Sequence, residues 1–198
     1  MTESSSRRDF VQRLGAVGAL WMLGARGEGV PADSDAGPDL EAPPTLRFFT
    51  PAEGRVVEAI AERIIPSDDG PGAKEAGVLY FIDRGLVTFA RDLQGPVRNG
   101  LADLAKRVST RHAGVTNFAQ LSPEQRDAIL HDMEGTEFFG TVRSATIAGM
   151  FALPSYGGNR NYVGWRAIGF GMAMEYAPPF GYYDRPEIRQ QLLGREGE

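Results

Sequence analysis

Few residues in this chain can do acid–base, thiol or metal chemistry. There is no cysteine, and His112 and His131 are the only imidazoles. Without thiolates there is no ligand set for an iron–sulfur cluster and no Cys-x-x-Cys-His attachment for a c-type haem. Two histidines in separate segments make a His-rich zinc or copper site a poor fit. Either histidine has the chemistry of a general base. However, His112 follows Arg111 at a helix end, where a cation suits the local dipole. His131 lies between Leu130 and Asp132 on a charged helix, and both histidines read as surface or structural residues. Asp68-Asp69 in the turn-rich run Pro66-Ser67-Asp68-Asp69-Gly70-Pro71-Gly72 has the oxygen ligands of a calcium loop but neither its alternating acids nor its distal Glu. It reads as a capped turn. No Gly-x-Gly-x-x-Gly follows a strand, and there is no phosphate loop or Gly-x-Ser-x-Gly elbow. The sequence therefore predicts no catalytic residue and no metal or cofactor site on this chain.

What stands out instead has the chemistry of recognition. The stretch from Pro154 to Phe170 holds Tyr156, Gly157, Gly158, Asn159, Arg160, Tyr162 and Trp165. Its glycines free the backbone for close approach, and Tyr, Trp and Arg are the types that dominate interface energies. Two accounts are open: a partner-binding surface, or a structural loop closing one end of a bundle. The run from Glu175 to Pro186 carries Tyr176, Phe180, Tyr182 and Tyr183 among three prolines. It reads as an extended arm, laid over a partner or folded back on its own bundle.

The elements that must position these residues are helical. Thr50, Pro51 and Glu53 form an N-cap, a first-position proline and a capping box. Val56, Ile60 and Ile64 follow at spacing four beside Val57, and the helix ends before Pro66. A second helix carries Val78, Phe81, Ile82, Leu86 and Phe89 and is expected to break at Gly95-Pro96. A third has Val97, Leu101, Leu104 and Val108 on one face. Ser122 and Gln125 box the start of a fourth with Ile129, Leu130 and Met133 on its core face. A fifth, from Glu137 to Leu153, is buried through Phe138, Val142, Ala145 and Gly149 and stopped by Pro154. No stretch alternates long enough for a strand. The expected class is all-α, a small bundle of about five helices with a long irregular C-terminal segment rich in Gly and aromatics.

The N-terminus is not part of that bundle. Ser6-Arg7-Arg8-Asp9-Phe10 leads into a weakly apolar run from Leu14 to Ala25, shorter than the ~20 residues of a membrane-spanning helix. Ser6, Arg7, Arg8 and Phe10 resemble the twin-arginine export signal. An ordinary amphipathic helix is the alternative. Residues 27–47, rich in Gly, Pro, Asp and Ala, read as a linker. The expected organisation is a signal segment at 1–26, linker at 27–47, helical domain at 48–175 and arm at 176–198. Arg7, Arg8, Arg13 and Arg26 against Glu3 and Asp9 leave the first segment at +2, so the -5 of the whole chain places -7 on the remainder. An acidic body without a basic stripe argues against nucleic acid and anionic membranes as partners.

Three runs together resemble the small subunit (subunit 3) of gluconate 2-dehydrogenase and related membrane-bound sugar or polyol dehydrogenases. They are Phe48 to Glu53, Ile64 to Val78 with Phe81-Ile82-Asp83, and Tyr156-Gly157-Gly158-Asn159 with Gly164-Trp165. The resemblance implies a periplasmic complex in which a large FAD-containing subunit of the glucose-methanol-choline type oxidises a sugar, sugar acid or glycoside. A c-type cytochrome, carrying haem c, would pass electrons towards quinone. The small subunit would stabilise the flavoprotein and, bearing the twin-arginine signal, carry it through the translocase. That role fits a chain with no cofactor motif that uses an export route for folded proteins. No catalytic residue comes with the resemblance. A free-standing exported enzyme, with its site around Tyr156, Asn159, Arg160 and His131, and a binding module using the Tyr156–Trp165 surface are the competing classes.

Overall fold

The computed structural model describes residues 45–171, 181 and 185–188. The leader residues Ser6, Arg7, Arg8 and Phe10, and the arm residues Tyr176, Phe180, Tyr182 and Tyr183, lie outside them. The chain divides into two units between Ile168 and Gly169. Within the first, all regular structure among the described residues is helical: α1 Pro51–Ile64, α2 Val78–Val87, α3 Gln94–Arg111, α4 Pro123–His131, α5 Glu137–Phe151 and α6 Val163–Ala167. Short 3-10 turns lie at Arg91–Leu93, Phe118–Gln120, Pro154–Tyr156 and Arg160–Tyr162. In the second unit, Gly169 to Gly171 and Gly181 are exposed, and the Ile188 amide closes a turn onto the Arg185 carbonyl at 3.0 Å. No helix among the described residues is long and apolar enough to cross a membrane.

The helix starts follow their capping chemistry. Thr50 accepts from the Glu53 amide at 3.3 Å while the Glu53 carboxylate takes the Thr50 amide at 2.9 Å. Ser122 and Gln125 repeat that reciprocal pair at α4. In each case two amides that no helical carbonyl can reach are satisfied. The buried side of α1 is centred on Val57, Ile60 and Ala61, with Val56 and Ile64 half-buried at its margins.

One expected boundary moves. Gly95-Pro96 does not break α2; both sit in the first turn of α3. There the amides have no intrahelical partner, so proline sacrifices no hydrogen bond. The break comes earlier, where the chain reverses after Val87 through the Arg91–Leu93 turn. Gln94 then donates its side-chain amide to the Leu86 carbonyl at 2.6 Å, satisfying the end of α2 from the start of α3. A smaller shift is that α5 ends at Phe151 rather than Leu153.

The core is continuous across α1 to α5. Phe81, Ile82, Leu86, Ile60, Leu104, Ile129 and Met133 are fully buried. The helices approach closely where side chains are small. A Cβ on Gly100 of α3 would fall 2.1 Å from the Phe138 ring of α5, and one on Gly149 would fall 2.9 Å from Phe81 of α2. Fully burying a residue of the Leu, Ile or Phe type contributes about 1.5–3 kcal/mol, so this interior holds the fold together without disulfides.

Candidate functional site

The three runs singled out in the sequence lie far apart along the chain, yet the fold brings them together on α2. Asp83, 3 % exposed, binds the start of the first run and the residue before it: its Oδ2 accepts the Arg47 amide at 2.7 Å, and its Oδ1 accepts those of Phe48 and Phe49 at 3.0 and 2.9 Å. A buried carboxylate is tolerable because three amides replace its water. The second run is the loop leading into α2. Glu75 closes it by accepting from the Gly72 amide at 2.9 Å and from the Ser67 hydroxyl. The Ser67 hydrogen bond holds the Glu75 carboxyl below its ordinary value, against the opposing effect of burial. Asp68 accepts the Asp69 amide at 2.7 Å and both residues are exposed. Among the described residues no group of three His, Asp or Glu side chains is placed to hold a metal ion.

The third run crosses the ends of α2 and α5. The Arg160 amide donates to the Ala76 carbonyl at 3.0 Å, and the Arg160 side chain lies against Gly77 and over the Tyr80 ring. Arg84 of α2 donates to the Ser155 carbonyl at 2.8 Å. Asn159 is fully buried and joins two helix ends. Its side-chain Nδ2 donates to the Ala152 carbonyl at 2.9 Å, and its Oδ1 accepts the Gly164 amide at 2.9 Å. Trp165 Nε1 donates to the Phe151 carbonyl at 2.8 Å. Thus the carbonyls left over at the end of α5 find donors in the segment that follows. The glycines make this possible: a Cβ on Gly158 would lie 2.2 Å from the Gly149 carbonyl, and one on Gly164 would lie 2.0 Å from that of Met150.

Within this stretch the side chains divide between interior and surface. Gly158, Asn159, Gly164 and Trp165 are internal and hold the end of the bundle together. Tyr156, Gly157 and Arg160 are half-buried, and Tyr162 is 49 % exposed with φ 56°. A left-handed tyrosine is strained, and it stands its ring 5.3 Å from that of Trp165. Sequence reasoning missed Phe151, Leu153 and Ile168, which are exposed apolar residues on the same end. The signal was available for Phe151, which falls off the buried face drawn by Val142, Ala145 and Gly149.

Of the residues of the free-standing enzyme reading, Tyr156, Asn159 and Arg160 share one segment, and His131 lies apart from them. Asn159 is hydrogen-bonded at the C-terminal end of α5. His131 lies with Phe139 and Arg143 on a groove of about 530 Å³ beside the N-terminal half of that helix. The 15 residues of α5 span roughly 22 Å. His131 is exposed and faces Glu134 at 3.3 Å. His112 follows α3 directly, its amide bonded to the Val108 carbonyl at 2.9 Å.

Compared with known protein families, residues 51–171 match the family described as gluconate 2-dehydrogenase subunit 3. The chain belongs to the gluconate 2-dehydrogenase subunit 3 family. It is thereby a subunit-3-type accessory chain of a multi-subunit dehydrogenase. No curated protein and no solved structure matches the chain. The matched region takes in α1 to α6 and the whole of the Tyr156–Trp165 segment. Asp83, the Glu75-closed loop and the Asn159 clip are thus part of what a subunit 3 fold contains here.

Proposed function

We propose that this chain is the non-catalytic small subunit of a periplasmic FAD-dependent dehydrogenase acting on a sugar, sugar acid or glycoside. In this reading it stabilises a glucose-methanol-choline-type large subunit and carries it, already folded and loaded with FAD, through the twin-arginine translocase. A c-type cytochrome completes the complex and attaches it to the inner membrane. The observation that carries the reading is the family match across the helical domain. The Ser6-Arg7-Arg8-Asp9-Phe10 leader, which suits an export route for folded proteins, also supports it.

The test is export of the partner. Arg7→Lys together with Arg8→Lys is expected to strand both this chain and the flavoprotein in the cytoplasm, read by fractionation and by flavin absorption. A flavoprotein exported normally in that mutant overturns the carrier role. Affinity purification of the tagged wild-type chain from its own host is expected to bring down a protein with flavin bands; a colourless monomer argues for the binding-module or free-standing enzyme reading instead.

A further inference from the structure

Among the described residues of the helical unit, every large hydrophobic residue that is exposed lies at one end: Phe151 at 38 %, Leu153 at 42 %, Tyr162 at 49 % and Ile168 at 62 %. They are grouped about Trp165. Its indole N–H holds the Phe151 carbonyl, its ring neighbours that of Tyr162, and Ile168 follows it at the end of the same short helix. Apolar residues scattered singly over a surface need no explanation; all of them gathered at one end do.

The charged residues of the same stretch are of one sign. From Ala145 to Gly171 the sequence contains Arg160 and Arg166 and no Asp or Glu, in a chain whose net charge is -5. Arg84, Arg160 and Arg166 contact the Ser155 carbonyl, the Tyr80 ring and the Asn161 carbonyl respectively. None of the three has a carboxylate partner among the described residues, whereas Arg63, Arg98, Arg107, Arg111 and Arg126 each do.

From this arrangement we infer that the Phe151–Ile168 end is the seat of the dehydrogenase large subunit. The surface it receives is apolar at its centre and carries carboxylates around its rim. The inference rests on the subunit reading above and adds the face and the chemistry of its partner. Charge selects this occupant over two others. A second copy of this chain docking symmetrically on the same face would set arginine against arginine. An anionic bilayer would attract the arginines but repel the acidic remainder of the chain.

The experiment compares the wild-type chain with Ile168→Ser, Phe151→Ser and Arg166→Glu for binding to the purified, flavin-loaded large subunit. Circular dichroism and thermal unfolding verify that each variant folds; Ile168, the most exposed, is the least entangled with the fold. Each variant is expected to bind about tenfold or more weakly. Arg166→Glu should also reduce the salt dependence of binding. If the wild type binds and all three variants bind within about twofold of it, the docking face lies elsewhere and the subunit reading survives. If the wild type itself does not bind, the subunit reading fails. Two results overturn the inference in favour of other occupants, both with large-subunit affinity unchanged. One is loss, in Ile168→Ser, of binding to phosphatidylethanolamine–phosphatidylglycerol vesicles; the other is loss of a concentration-dependent dimer.

Discussion

The Asp83 carboxylate accepts the backbone amide of Phe49 at 2.9 Å across 34 residues of sequence. With the Arg47 and Phe48 amides on the same carboxylate, it fixes how residues 47–49 lead into α1. Asp83→Ala leaves three amides without their acceptor and is expected to cost about 2–4 kcal/mol in urea unfolding. In Asp83→Asn the retained oxygen still serves Phe48 and Phe49, but an N–H group then faces the Arg47 amide. The expected loss is smaller, about 1–2 kcal/mol. Equal losses for the two variants would show that the carboxylate does not act through these amides.

A second prediction concerns Asn159. It is fully buried, left-handed at φ 45°, and satisfies one group on each of two helix ends. Asn159→Ala unseats both and puts a Cβ-only side chain in a left-handed conformation that Asn tolerates better. We expect a loss of about 2–4 kcal/mol and weaker partner binding, since α6 carries part of the exposed apolar end. Normal stability in this variant would remove the clip as the reason for the Tyr156-Gly157-Gly158-Asn159 pattern.

These residues mark the limit of what sequence alone could supply. Helix starts were legible because a capping box is a local, reciprocal pair of hydrogen bonds, as at Thr50–Glu53 and Ser122–Gln125. Core faces were legible from spacing, down to Val97, Leu101, Leu104 and Val108. Gly95-Pro96 misled because the same dipeptide that breaks a helix interior is harmless in a first turn, and position within the helix is a tertiary outcome. Asp83 gave a faint sign, an acid on the apolar side of α2, but its amide partners lie in another segment. The division of Tyr156–Trp165 into buried and exposed side chains was not legible at all. Whether Trp165 faces in or out depends on where α5 ends, and nothing local fixes that.

Acid should weaken the α1 cap. Burial alone would raise the Glu53 carboxyl, but hydrogen bonds from Arg98 and from the Thr50 amide and hydroxyl outweigh it and hold the group below its ordinary 4.5. A carboxyl with a lowered folded value stabilises the fold above its ordinary value, and that contribution is lost as pH falls through the folded value. Thermal midpoints are therefore expected to drop between roughly pH 5 and 3, with Glu75 contributing in the same direction. Glu53→Gln should start lower at neutral pH and fall less steeply across that window. Parallel curves would assign the acid sensitivity to other carboxylates.

Glycine substitutions provide the sharpest contrast, because two residues of the same helix should respond to the same added methyl very differently. Gly95 lies exposed in the first turn of α3, and a Cβ there would meet nothing within 4 Å. Gly95→Ala reduces the freedom of the unfolded chain, but its Cβ precedes Pro96, whose ring crowds a preceding side chain in helical backbone, so the two effects offset and a change within about 0.5 kcal/mol is expected. Five residues on, Gly100 faces α5, and its Cβ would lie 2.1 Å from Cγ and 2.4 Å from Cβ of Phe138. Phe138 is 5 % exposed and cannot swing away without opening the core. Gly100→Ala must therefore push α3 and α5 apart, at an expected cost of about 2–4 kcal/mol in spite of alanine's better helix propensity. The pair isolates the effect of packing within a single helix. If Gly100→Ala were no more destabilising than Gly95→Ala in denaturant unfolding, α3 and α5 would not approach as closely as Gly100 and Phe138 do here.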